Sequence, residues 1–91
     1  MISSLNEQRD DRFELNVFPN PLNDRLHIEF EVVSEVRINI FDTIGIKRYG
    51  KSVKSEEVIT IDFLSPGLYY LQVLDRKGNL LQIKPLLKLG F

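Results

Sequence analysis

From Phe13 onward, apolar residues recur at every second position. Leu26, Ile28, Phe30 and Val32 alternate with His27, Glu29 and Glu31, and Val36, Ile38 and Ile40 alternate with Arg37, Asn39 and Phe41. A period of two places one face of a strand in a core and the other in water. Only Val33-Ser34-Glu35 separates these runs, which predicts that the two strands are antiparallel neighbours. Asp42-Thr-Ile-Gly45 ends the second run, with Gly45 free to adopt positive φ, and a more polar strand is expected over Ile46–Val53. Ile59, Ile61 and Phe63 form the next apolar row, with Thr60 and Asp62 facing outward.

Leu64-Ser-Pro-Gly67 then turns the chain into Leu68–Leu74, whose nearly continuous apolar and aromatic run suits a central strand. Arg76-Lys-Gly-Asn79 has turn chemistry, and Leu80–Lys84 begins a last strand that Pro85 interrupts. Proline is tolerated best on a sheet edge, so this strand is placed there. About seven short strands and no sustained helical stripe predict a two-layer antiparallel β-sandwich. Residues 1–12 read as a polar linker, in which Ser4-Leu-Asn-Glu7 matches a capping box without the apolar stripe a stable helix needs. The folded domain is assigned to residues 13–91.

Composition narrows the chemistry. Ninety-one residues, 43% hydrophobic and 27% charged, make one small domain whose folding removes roughly 65% of the unfolded chain's surface from water. A formal net charge of −1 gives no electrostatic footprint for nucleic acid or an anionic membrane. Lys47, Arg48, Lys51 and Lys54 lie close together, but Glu56 and Glu57 follow directly, the pattern of a solvated strand and loop. With no cysteine, disulfides and thiolate metal sites are excluded. The sole histidine, His27, shares a polar strand face with Glu29 and Glu31, a weak signal for a metal. No nucleophile–base arrangement and no phosphate-binding loop appears, so the reading is a non-enzymatic domain without cofactor. No stretch is long and apolar enough to span a bilayer as a helix.

Three segments carry a family resemblance. Val17-Phe-Pro-Asn-Pro21 is a stiff, non-helical corner, since each proline fixes φ and pushes the preceding residue towards extended backbone. Val36-Arg-Ile-Asn-Ile-Phe-Asp-Thr-Ile-Gly45 is a strand ending in Asp-x-x-Gly. Leu64-Ser-Pro-Gly-Leu-Tyr-Tyr-Leu-Gln-Val73 leads towards a closing segment with Lys84 and Lys88 around Leu86-Leu87. In this order the chain resembles the type A carboxyl-terminal sorting domain of the type IX secretion system, the Por secretion tail, over residues 13–89.

The resemblance implies a seven-stranded immunoglobulin-like sandwich at the end of a larger secreted protein of a Gram-negative bacterium. The attached amino-terminal cargo crosses the periplasm, the domain engages an outer-membrane translocon, and in many members a sortase-like surface peptidase then removes it. Cleavage, where it occurs, is expected before Phe13. Pro19, Asn20, Pro21, Asp42, Gly45, Gly67, Tyr69, Lys84 and Lys88 occupy the matching positions, none of them with a catalytic role.

These positions also have structural readings. Gly45 and Gly67 suit turns, and either Tyr69 or Tyr70 suits a tyrosine corner. The run Lys84-Pro-Leu-Leu-Lys88 is the candidate recognition element, and the same edge predicts weak dimerisation by strand pairing. Two competing readings are a fibronectin III or immunoglobulin-like adhesive or spacer module and, after it, a carbohydrate-binding module with a platform among Phe41, Tyr49 and Tyr70.

Overall fold

A computed structural model describes residues 15–19, 23–30 and 35–90. Seven strands follow in chain order: β1 (Leu15–Phe18), β2 (Arg25–Phe30), β3 (Val36–Asp42), β4 (Lys47–Val53), β5 (Glu56–Thr60), β6 (Gly67–Leu74) and β7 (Leu80–Lys88). They form two antiparallel sheets, β1-β2-β5 and β4-β3-β6-β7. This is the immunoglobulin-like sandwich order with the fourth strand joined to the larger sheet. The inward rows come from the alternation itself: Leu26 and Ile28 from β2, Ile38 and Ile40 from β3, and Leu71 and Val73 from β6 share one buried cluster. Burial of each such side chain is worth about 1.5–3 kcal/mol, which makes this cluster the main source of cohesion between the layers.

Three expectations are corrected. β2 and β3 are not paired; β2 lies between β1 and β5, and the chain changes sheets between Phe30 and Val36. Alternation specifies which face is buried, and two strands facing each other across a core satisfy it as well as two side by side. Phe63 is not a core residue: it is 54% exposed, and Leu64 is buried in its place. β5 stops at Thr60, and the Leu64 amide donates to the Ile61 carbonyl at 3.0 Å, so a turn replaces the period of two after Ile61. Pro85 does not interrupt β7, which runs on to Lys88 with Pro85 opposite Tyr70. The edge position, as expected, tolerates the missing donor.

Polar contacts tie strands together within and between the sheets. Lys51 of β4 and Glu57 of β5 form an ion pair between the two sheets, and this contact raises the Lys51 pKa. On the outer face of the larger sheet the Asn39 amide donates to the Gln72 amide oxygen at 3.0 Å. Gly50 lies opposite Asn39, and a Cβ there would stand 2.6 Å from Arg37 Nη2 and 2.8 Å from Asn39 Oδ1. Its missing side chain is the space those two groups occupy.

Candidate recognition pole

The β3–β4 hairpin closes through a five-residue turn, Asp42 to Ile46. The Asp42 amide donates to the Ile46 carbonyl (3.0 Å), and the Gly45 amide to the Asp42 carbonyl (3.1 Å). Gly45 has φ of +90°, as this geometry requires. Asp42 Oδ1 accepts from the amides of Ile44 (3.0 Å) and Ile46 (2.9 Å), while Oδ2 accepts from Arg48 Nε (3.0 Å) and pairs with its Nη2 (2.9 Å). The Ile46 amide first, then Arg48 and the Ile44 amide, hold this carboxyl below the usual carboxylate range against the opposing effect of desolvation.

Asp42 stands opposite Tyr69 in the β3–β6 register. Tyr69, 8% exposed, donates its hydroxyl to the Ser65 carbonyl at 2.6 Å and ties down the Ser65-Pro-Gly corner. The tyrosine corner therefore belongs to Tyr69, while Tyr70 lies on the outer face. Gly67 enters β6 with φ of +147°, opposite Lys88. Between the hairpin and this corner lies a cleft of about 340 Å³ lined by Asp42, Arg48, Phe63, Leu64, Ser65 and Tyr69. The Phe63 ring tilts against Tyr49, with centroids 5.6 Å apart.

The smaller sheet adds its own corner at this pole. The Ile61 amide donates to the Asp24 carbonyl at 2.7 Å, and Pro19, which follows a cis Phe18–Pro19 peptide, lines a second cleft with Asp24, Arg25, Thr60 and Asp62. Pro19, Asp42, Gly45, Gly67, Tyr69 and Lys88 thus gather at one end of the sandwich. Asn20 and Pro21 lie outside the described residues, as do the linker and its capping box.

Alternation divides the closing run. Lys84, Leu86 and Lys88 face inward opposite Leu71, Tyr69 and Gly67, whereas Pro85 and Leu87 face outward opposite Tyr70 and Leu68. Leu86 is fully buried and Lys88 is 7% exposed, its Nζ donating to the Leu89 carbonyl at 3.2 Å, so neither is a free surface group. The proposed aromatic platform also divides: Phe41 and Tyr70 are cross-strand neighbours on the outer face, while Tyr49 lies opposite inward-facing Ile40 and packs on the core. His27 packs against the Phe18 ring, centroids 4.8 Å apart. Among the described residues no three His, Cys, Asp or Glu side chains come together to hold a metal ion.

Sequence reasoning missed a twin of the first hairpin. Asp75 repeats Asp42: its amide meets the Asn79 carbonyl (2.9 Å), the Gly78 amide meets its own carbonyl (3.0 Å), and its Oδ1 accepts from Lys77 (2.9 Å) and Asn79 (2.8 Å). Gly78 has φ of +91°. The Asn79 amide first, and the Asn79 side chain and nearby amides after it, hold the Asp75 carboxyl low as well. The signal was available as Asp-x-x-Gly at both 42–45 and 75–78.

The fold defines an immunoglobulin-like module whose distinctive residues cluster at one pole rather than around a reaction centre. Residues 16–84 match the secretion system C-terminal sorting domain, and the chain belongs to that family, the sorting signals of type IX secretion. It is also similar to an endo-acting ulvan lyase of Formosa agariphila, with 30% identity over 69 residues. That match covers 72% of this chain and 13% of the lyase, so the chain spans a small fraction of its relative's length. Family membership implies attachment to a cargo on the amino-terminal side and delivery outside the cell or to its surface. It decides for a sorting signal over a spacer module.

Proposed function

We propose that this domain is a folded export address: it takes a cargo joined to its amino terminus from the periplasm through the type IX outer-membrane translocon, to the surface or the medium. The observation that carries the reading is the gathering of the family-motif positions Pro19, Asp42, Gly45, Gly67, Tyr69 and Lys88 at one pole, built from both sheets. A signal of this kind is read as a preformed surface, so little ordering entropy opposes its capture. Pro85 and Leu87 extend the recognised surface along β7, with Lys84, Leu86 and Lys88 supporting them from the core side. A sortase-like peptidase cuts before Phe13, in the polar linker, and a secreted enzyme is the class of cargo the ulvan lyase suggests. Weak self-association through the β7 edge accompanies this reading, and sedimentation across a concentration series checks it.

The test is a reporter bearing a signal peptide and this domain at its carboxyl terminus, in cells with and without a working type IX translocon. Surface or medium accumulation that requires the translocon is the expected result. A reporter held in the periplasm of both strains overturns the proposal.

A further inference from the structure

The two hairpins at opposite ends of the larger sheet share one turn but carry different side chains. Both use Asp at the first position, Gly with φ near +90° at the fourth, and the same carboxylate-to-amide bonds. The turn therefore dictates Asp and Gly and leaves the other positions open. At 75–79 those positions are Arg76, Lys77 and Asn79, as expected of a solvated loop; at 42–46 they are Thr43, Ile44 and Ile46. Ile44 is 76% exposed and Ile46 47% exposed, and Phe63 across the adjoining cleft is also in solvent. Neither turn geometry nor core packing accounts for two isoleucines in water.

We infer that the 42–46 hairpin, with Phe63 and the cleft beside it, is the docking surface through which a protein of the export machinery holds this domain. The inference rests on the sorting function proposed above and names the surface and chemistry of its partner. The cleft is concave and walled by Asp42, Arg48 and Tyr69, so it receives an inserted side chain rather than a flat lipid layer. The charge beside the hairpin bears on the partner: Lys47, next to Ile46 in the chain, is exposed, while Arg48 keeps about half its side chain in solvent but is already matched by Asp42. The matching element is an extended loop with a hydrogen-bonding anchor for the cleft of Asp42, Arg48 and Ser65, apolar contacts for Ile44, Ile46 and Phe63, and a flanking carboxylate for Lys47.

The second hairpin supplies the control. Thr43→Arg, Ile44→Lys and Ile46→Asn together give the first turn the side chains of the second, and Arg76→Thr, Lys77→Ile and Asn79→Ile do the reverse. Each triple variant keeps Asp and Gly, so both are expected to melt within a few degrees of the unmodified domain. In the reporter assay the 42–46 variant is expected to lose at least ten-fold in translocon-dependent export while the 75–79 variant exports normally. Normal export by a folded 42–46 variant overturns the inference and leaves the sorting function standing; translocon-independent behaviour of the unmodified reporter removes both. Binding of the purified domain to vesicles of outer-membrane lipid that I44K abolishes assigns the surface to lipid and also overturns it. So does a dimer in sedimentation that I44K dissolves.

Discussion

Tyr69→Phe isolates a single bond. The ring, packed against the core opposite Leu86, is retained; only the hydroxyl that reaches the Ser65 carbonyl at 2.6 Å is lost. The orphaned acceptor is partly buried, and leaving such a group unpaired costs about 1–3 kcal/mol, towards the lower end where water can reach it. Ser65 is exposed as a residue, so about 1–1.5 kcal/mol is the expected loss. For a domain of this length each kcal/mol moves Tm by about 4–8 °C, which gives a fall of about 4–12 °C. Differential scanning calorimetry of Tyr69→Phe and Tyr70→Phe measures both. Tyr70 lies half-exposed on the outer face, and its hydroxyl removal, a surface change of under about a quarter of a kcal/mol, is expected to shift Tm by less than about 2 °C. Equal shifts in the two variants, or none in Tyr69→Phe, would refute the assignment of the corner.

Other outcomes follow from the packing and the charges. Gly50→Ala brings a Cβ within 2.8 Å of an Asn39 oxygen whose amide is held by Gln72, so it is expected to destabilise by about 1–2 kcal/mol in urea unfolding, although alanine ordinarily suits a strand better than glycine. A neutral or stabilising result sinks the close-approach argument. Leu64→Ala should cost about 2–4 kcal/mol and Phe63→Ala less than about 1, in inverse order to their size, because only Leu64 is buried. The Asp42 and Asp75 carboxyls are held below their unfolded values, so their contribution is complete above about pH 4 and is lost as pH falls through the folded values. Asp42→Asn with Asp75→Asn should therefore flatten the acid limb of the stability profile, and an unchanged limb counts against the turn contacts. Lys51 behaves in the opposite sense: its raised pKa contributes fully below about 10.5 and is lost as pH rises through the folded value, a dependence that Glu57→Gln should remove.

Much of the architecture was legible because alternation is a local signal. The rows Leu26-Ile28-Phe30 and Val36-Ile38-Ile40 are buried as the period of two required. Which strand pairs with which was not legible: the same rows are compatible with β2 and β3 side by side or face to face, and only the assembled sheets distinguish them. Phe63 shows another limit, since one turn residue after Ile61 shifts the parity and exchanges a phenylalanine for a leucine in the core. At the pole, Asp42, Gly45, Gly67 and Tyr69 were marked by motif, because turn backbones restrict residue type. The exposure of Ile44 and Ile46 was not marked, because an isoleucine beside a strand reads as more core until the fold shows it in water. Lys88 failed in the reverse direction; a lysine at a chain edge reads as solvated, and its inward register is set by pairing with Gly67.

The unequal lengths of the end strands bear on how the domain withstands load. β1, the first strand of the chain, is four residues long and is hydrogen-bonded to β2 alone, whereas the nine-residue β7 pairs with β6 at eight positions. Tension applied from the amino-terminal side reaches β1 first among the described strands. The larger sheet, which carries the hairpin and the tyrosine corner, lies in the other layer and shares no hydrogen-bonded ladder with that short strand. A load applied at that end therefore falls first on the shortest ladder of the domain, the four residue pairs of β1 and β2.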